Sequence, residues 1–148
     1  MTGRSCGDCT LCCRLLGVPE LEKPAGTWCA SCEVGCGCGR YDDRPASCRN
    51  FECFWLMEDG FPDELRPDRS GVVIAFEDSD SVVLHVDPER PDALTRPAAE
   101  GLLPVLLRHY RRVAVACGAE RAVIERAASH DDRGRLVTNA APDAGRDR

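Results

Sequence analysis

Gly71-Val-Val-Ile-Ala-Phe-Glu-Asp-Ser-Asp-Ser-Val-Val-Leu-His-Val-Asp-Pro88 holds two apolar runs with a polar interval between them. The runs, Val72–Phe76 and Val82–Val86, are rich in β-branched residues, which suit an extended, half-buried backbone. The interval, Glu77–Ser81, is polar throughout. Two such strands joined by a short polar loop predict a β-hairpin. Asp87-Pro88 and Arg90-Pro91 end it, because proline cannot donate to a strand ladder.

Downstream, Leu102, Leu103, Leu106, Tyr110 and Val113 recur at helical spacing, with Arg108, Arg111 and Arg112 largely off the stripe. A helix is predicted over 98–112, starting near Leu103 or kinked at Pro104. Val113–Cys117 and Arg121–Glu125, separated at Gly118, suggest a second hairpin; a helix over 120–128 is the alternative. These elements predict an α+β fold, with a sheet of about four strands and one main helix.

Upstream the chain changes character. Of the 148 residues, 11 are cysteine, and ten of these fall in the first 53. Glycine and proline punctuate the same region, so long regular elements are not expected there. Two short helices are predicted, over 8–16 and from Pro45 toward Trp55. The expected organisation is a loop-rich, metal-organised lobe over 1–58, a small α+β lobe packed on it over 59–138, and a mobile tail over 139–148.

The net charge is −6, from 19 basic and 25 acidic residues. No basic run is present, which argues against nucleic acid as a partner, since phosphate binding needs clustered positive charge. The excess of arginine over lysine, beside many Ala, Gly and Asp, points to a GC-rich bacterial genome. No window reaches the apolar length of a membrane span. The start, Met1–Cys6, carries no apolar run of a secretory leader, so a cytoplasmic location is expected. A reducing compartment keeps thiols free, and clustered cytoplasmic cysteines bind metal or do redox work. The odd count and the adjacent pair Cys12-Cys13 argue against a disulfide framework.

Cys6-x-x-Cys9-x-x-Cys12-Cys13 opens the cluster; Cys29-x-x-Cys32, Cys36-Gly-Cys38, Cys48 and Cys53 follow. Two thiolates separated by two residues can chelate one ion from a single tight turn. Nine or ten thiols could fill two four-ligand sites, or fill one and leave several free. The spacing departs from the bacterial ferredoxin pattern. Zinc fits thiols with no histidine nearby, and an iron–sulfur cluster stays open. Lys23, Arg14, Arg40, Arg44 and Arg49 lie near enough in sequence to offset thiolate charge. Trp28, Tyr41, Phe51, Phe54 and Trp55 are expected to pack around a small metal-supported core.

The cysteine spacing, together with Cys38-Gly-Arg-Tyr41-Asp-Asp-Arg44-Pro45-x-x-Cys48-Arg49-x-Phe51-x-Cys53, resembles the YkgJ-type cysteine-cluster family. Its members are described as zinc- or iron-chelating domain proteins. The resemblance covers about residues 6 to 55. It implies metal ligation by Cys6, Cys9, Cys12, Cys13, Cys29, Cys32, Cys38, Cys48 and Cys53. Cys36 and Cys117 are extra, and Arg40 stands where the family has an aliphatic residue. One larger branch, the flagellin lysine methylases, joins such a domain to methyl transfer. This chain shows no glycine-rich nucleotide loop, and that activity is not carried over.

Three functions follow as expectations. The first is a metal-binding protein whose metal organises the fold and whose surface meets an unknown protein partner. The second is an iron–sulfur redox protein or enzyme subunit, and the third is metal buffering or delivery. No catalytic constellation is read. His85 in a strand, His109 on a helix and His130 in a polar loop share no ligand spacing and read as structural or surface residues. Cys117 reads as a small buried apolar residue. Asp42-Asp43, Asp78/Asp80 and Asp131-Asp132 read as turn and loop residues.

Overall fold

A computed structural model describes residues 3–126 and the backbone of 129–130 and 136–137. The tail expected over 139–148 and the Asp131-Asp132 pair lie outside the described residues.

The first region carries only short elements: α1 (Cys12–Leu15), the paired strands β1 (Cys32–Glu33) and β2 (Gly37–Cys38), α2 (Ala46–Arg49) and α3 (Phe54–Met57). The helix expected over 8–16 contracts to α1, because its preceding residues form turns, with the Cys9 N–H donating to the Cys6 carbonyl at 2.8 Å. The helix expected from Pro45 breaks into α2 and α3. Cys53, in extended conformation, separates them and precedes α3. A one-turn helix, α4 (Pro67–Ser70), then ends at Gly71, whose φ of +79° turns the chain into the sheet. An added Cβ there would meet Arg90 Nε at 3.0 Å.

The sheet follows as β3 (Val72–Asp78) and β4 (Ser81–Val86), then α5 (Leu102–His109), then β5 (Arg112–Cys117) and β6 (Glu120–Glu125). Both hairpins are antiparallel, while β4 and β5 run parallel, giving the order β3-β4-β5-β6. The parallel step needs a crossover connection, and α5 lies within it. The interval over 77–81 is tighter than expected: β3 continues through a bulge to Asp78, and the Asp80 N–H donates to Asp78 Oδ1 at 2.8 Å. The main helix is shorter than expected. It starts at Leu102, one residue from the later start expected near Leu103, so Pro104 stands third, where an N–H has no intrahelical partner. Val113, placed on the helical stripe by sequence, belongs to β5 instead. Residues 120–125 are strand, not helix. His130, expected in a loop, falls in a two-residue strand, β7 (Ser129–His130), paired with β8 (Leu136–Val137).

Side chains alternate across the sheet. Val72, Ile74, Val82, Leu84, Val86 and Val113 face one side and pack with Leu102 and Leu106 of α5. Phe54 inserts here from the cysteine region, its ring 4.9 Å from that of Phe76. Val73, Ala75, Val83 and Ala114 face the other side, where Leu11, Leu15 and Phe51 cover part of them. The sheet thus divides a conventional apolar core from the cysteine region.

Candidate metal centre

The cysteines are positioned by turns, not by long elements. The face of α1 that carries Leu15, with Leu11 before it, packs on Val73, which fixes Cys12 and Cys13 near the sheet. The Cys29 N–H donates to the Cys13 carbonyl at 3.1 Å, and the Cys32 N–H donates to the Cys29 carbonyl at 3.1 Å. Cys32 and Cys38 are directly opposed between β1 and β2. Cys48 lies in α2, and Cys53 is buried ahead of α3.

These turns surround a cavity of about 740 Å³ between the cysteine region and the sheet. Cys6, Cys9, Cys12, Cys13, Cys29, Cys38, Cys48 and Cys53 all line it. Cys32 is outside this lining, its thiol hydrogen-bonded to that of Cys13. Cys36 is exposed and outside the lining, and Cys117 packs against the main apolar core. Among the described residues, no three Cys, His, Asp or Glu side chains form a group that could hold a metal ion as they stand. The thiols are gathered without being closed into a coordination sphere.

Their electrostatics show the cost of that gathering. Burial raises the Cys9 thiol to about 11, and burial, then Cys13, raise that of Cys32 to about 12. Cys13 is raised chiefly by its hydrogen bond with Cys12 and then by burial. Burial raises Cys48, and Cys13, Cys29 and Cys38 add to it. Burial and neighbouring thiols thus oppose ionisation at Cys9, Cys13, Cys32 and Cys48. Cations temper this. Arg44 and Arg66 favour the thiolate of Cys6, and Arg66 also that of Cys9. Burial lowers the Lys23 ammonium, while the thiolates of Cys29, Cys13, Cys12 and Cys48 support its charge. Lys23 donates to the carbonyls of Leu16, Arg14 and Pro24, fixing the end of α1.

The other charges expected to serve the cluster act elsewhere. Arg14 Nη1 bridges Asp87 and Glu89, each at 2.9 Å, and so ties α1 to the end of β4. Arg40 lines the cavity but pairs with Asp43, and Arg49 is exposed. The aromatics divide as well. Phe54 belongs to the sheet core, and Trp28 and Tyr41 are exposed. Trp55 lies beneath Arg4 at 4.5 Å and lines the cavity, its indole N–H buried with no partner among the described residues.

Two cavity residues escape the sequence reading. His85, taken there as structural or surface, lines the cavity, and so does Arg121. The signal for His85 was its spacing of two from Val83, which puts both on one sheet face. Nothing local pointed to Arg121. Its place depends on the register across β5. His109 ends α5, away from the cavity lining.

The fold and site define an α+β protein with a thiol-lined cavity on one face of its sheet. A scan against protein-family models, a search of curated proteins and a search of solved structures each return no match.

Proposed function

We propose that the chain is a metal-binding cysteine-cluster protein of the YkgJ type, with zinc as the metal that organises its first region. One observation carries the reading: eight of the nine cysteines that the resemblance implies as ligands line a single cavity, and the ninth, Cys32, interacts with Cys13. The donor chemistry supports it. Soft thiolates select zinc or iron–sulfur clusters, and no cavity histidine stands within the cysteine turns. A bound cation removes the repulsion that raises Cys13, Cys32 and Cys48, because coordination deprotonates a thiol outright. The nine candidates are enough for two four-ligand sites with one thiol over. Neighbouring Arg44, Arg66 and Lys23 would offset the excess negative charge of thiolate coordination. The incomplete convergence of the thiols suits a centre that closes when metal binds, coupling metal to folding. An exposed surface including Tyr41 and Val34 is available to a protein partner.

Elemental analysis and an absorption spectrum of anaerobically purified protein test the reading. Colourless protein with stoichiometric zinc is expected. Brown protein bleached by dithionite would assign an iron–sulfur centre and a redox role, and metal-free protein would overturn the reading. Labile metal on a chain that stays folded without it would favour buffering or delivery. Cys9→Ala and Cys48→Ala should each lower bound metal, whereas Cys36→Ala should not. Acidification should release the metal, since protons compete for the same sulfurs.

A further inference from the structure

The sheet end of the cavity has its own chemistry, and the metal reading does not use it. Val73, His85, Ala116 and Arg121 are successive partners across β3, β4, β5 and β6, so they form one row on the face toward the cysteine region. His85 and Arg121 line the cavity, and Ala116 between them carries only a methyl group. Glu77, also in the lining, accepts from Arg121 Nη2 at 2.5 Å. Ala75, Val83 and Phe51 provide apolar wall beside this polar row.

Three features point to a ligand. First, the imidazole of His85 makes no hydrogen bond among the described residues, although burial, and then Arg121, hold it neutral. It offers one donor and one acceptor to the cavity. Second, Arg121 gives Glu77 one of its five N–H groups and has others free to donate. An arginine in this molecule already holds two carboxylates at once: Arg14 Nη1 is 2.9 Å from both Asp87 and Glu89. Third, the cavity has the size of small-molecule sites, about 300–1,000 Å³. Glu77 already offsets the single charge of Arg121, which disfavours a dianion such as phosphate. The apolar wall calls for a hydrocarbon body.

We propose that this end of the cavity binds a small organic monocarboxylate, its carboxylate on Arg121 and His85 and its apolar body on Ala75, Val83 and Phe51. The site stands beside the metal reading and does not need it.

Benzoate and its uncharged isostere benzamide test the charge requirement, titrated into the full ¹⁵N-labelled chain carrying its own metal. Benzoate should produce saturable shifts at the amides of Val83, His85 and Arg121, with benzamide weaker by about tenfold, or 1.4 kcal/mol. Arg121→Gln should weaken benzoate by about the same factor and leave benzamide unchanged. This change is at an edge strand and breaks one half-exposed ion pair, so the fold should be retained. Arg96→Gln, which removes a guanidinium outside the cavity lining, should leave both titrations as they are. Equal binding of the two probes, wild-type benzoate binding by Arg121→Gln, or no saturable shift at millimolar benzoate would each overturn the proposal. Metal content measured on the same samples separates the two readings. Benzoate binding by metal-free protein removes the metal reading alone, and metal-replete protein blind to benzoate removes this one alone.

Discussion

The cysteine region and the sheet are joined in one molecule but ordered by different forces. In the sheet, Val73, Val82, Leu84 and Val113 are fully buried, and each sits in a contiguous apolar run. Hydrophobic burial alone orders such segments. The cysteine region has helices of four residues and strands of two. Polar ties hold it together and attach it to the rest. Arg4 donates to the carbonyls of Trp55, Glu58 and Phe61, Arg66 pairs with Asp8, and Arg14 pairs with Asp87. A region this poor in apolar runs keeps its shape through cross-links, and gathered thiols are the raw material for a cross-link made by metal.

The strongest break between the two regions should come from a zinc chelator. If metal organises the cysteine region as proposed, removing it takes on the order of 10 kcal/mol of binding free energy from that region. Amide exchange over 3–58 should accelerate by orders of magnitude while β4 and β5 stay protected; simultaneous loss in both would make them one cooperative unit. Leu84→Ala attacks the other side. It should cost about 3 kcal/mol of global stability in denaturant melts, as a fully buried leucine does, and leave metal stoichiometry intact. Arg14→Gln tests the tie between the regions. Asp87 is 4% exposed and would keep the Glu89 N–H at 3.0 Å and, as its one cationic contact among the described residues, Arg90 at 3.4 Å, so about 2 kcal/mol should be lost.

Alkali should act on the order that the cysteine region keeps in reduced, metal-free protein. The buried thiols have raised pKa values, so the unfolded chain releases its protons first and stability drops as pH rises. The loss should begin near pH 9 and run to about pH 12, lowering Tm by roughly 5 °C or more. Metal-loaded protein should show no such slope over pH 7–10. The smallest effect belongs to Cys36→Ala, expected within about 0.5 kcal/mol of the parent because the residue is exposed.

The sequence disclosed the two regions unequally. Val72–Phe76 and Val82–Val86 declare strands because each residue favours the extended state and neighbours agree. The helix of Leu102 and Leu106 declares itself by spacing, although its start depended on where Pro104 is tolerated. In the cysteine region, Asp8–Leu16 and Pro45–Trp55 suggested longer helices than exist. Local propensity there is weak, and contacts with Val73 and with distant turns decide. Of the nine cysteines that the resemblance implies as ligands, eight line one cavity and Cys32 does not, and Cys36, extra to that pattern, is outside the lining too. The approach of His85 to Arg121 was hidden, since it needs the parallel pairing of β4 with β5 and the antiparallel register of β6.

The strip of Val73, Ala75 and Val83 has a second significance. It belongs to two β-prone, nearly uncharged segments, and part of what shields it is the turn-built region of Leu11, Leu15 and Phe51. Should that cover loosen, the strip becomes an adhesive surface of the type that nucleates cross-β assembly. The cysteine region is therefore also a guard against self-association, and damage to it endangers the solubility of the whole chain.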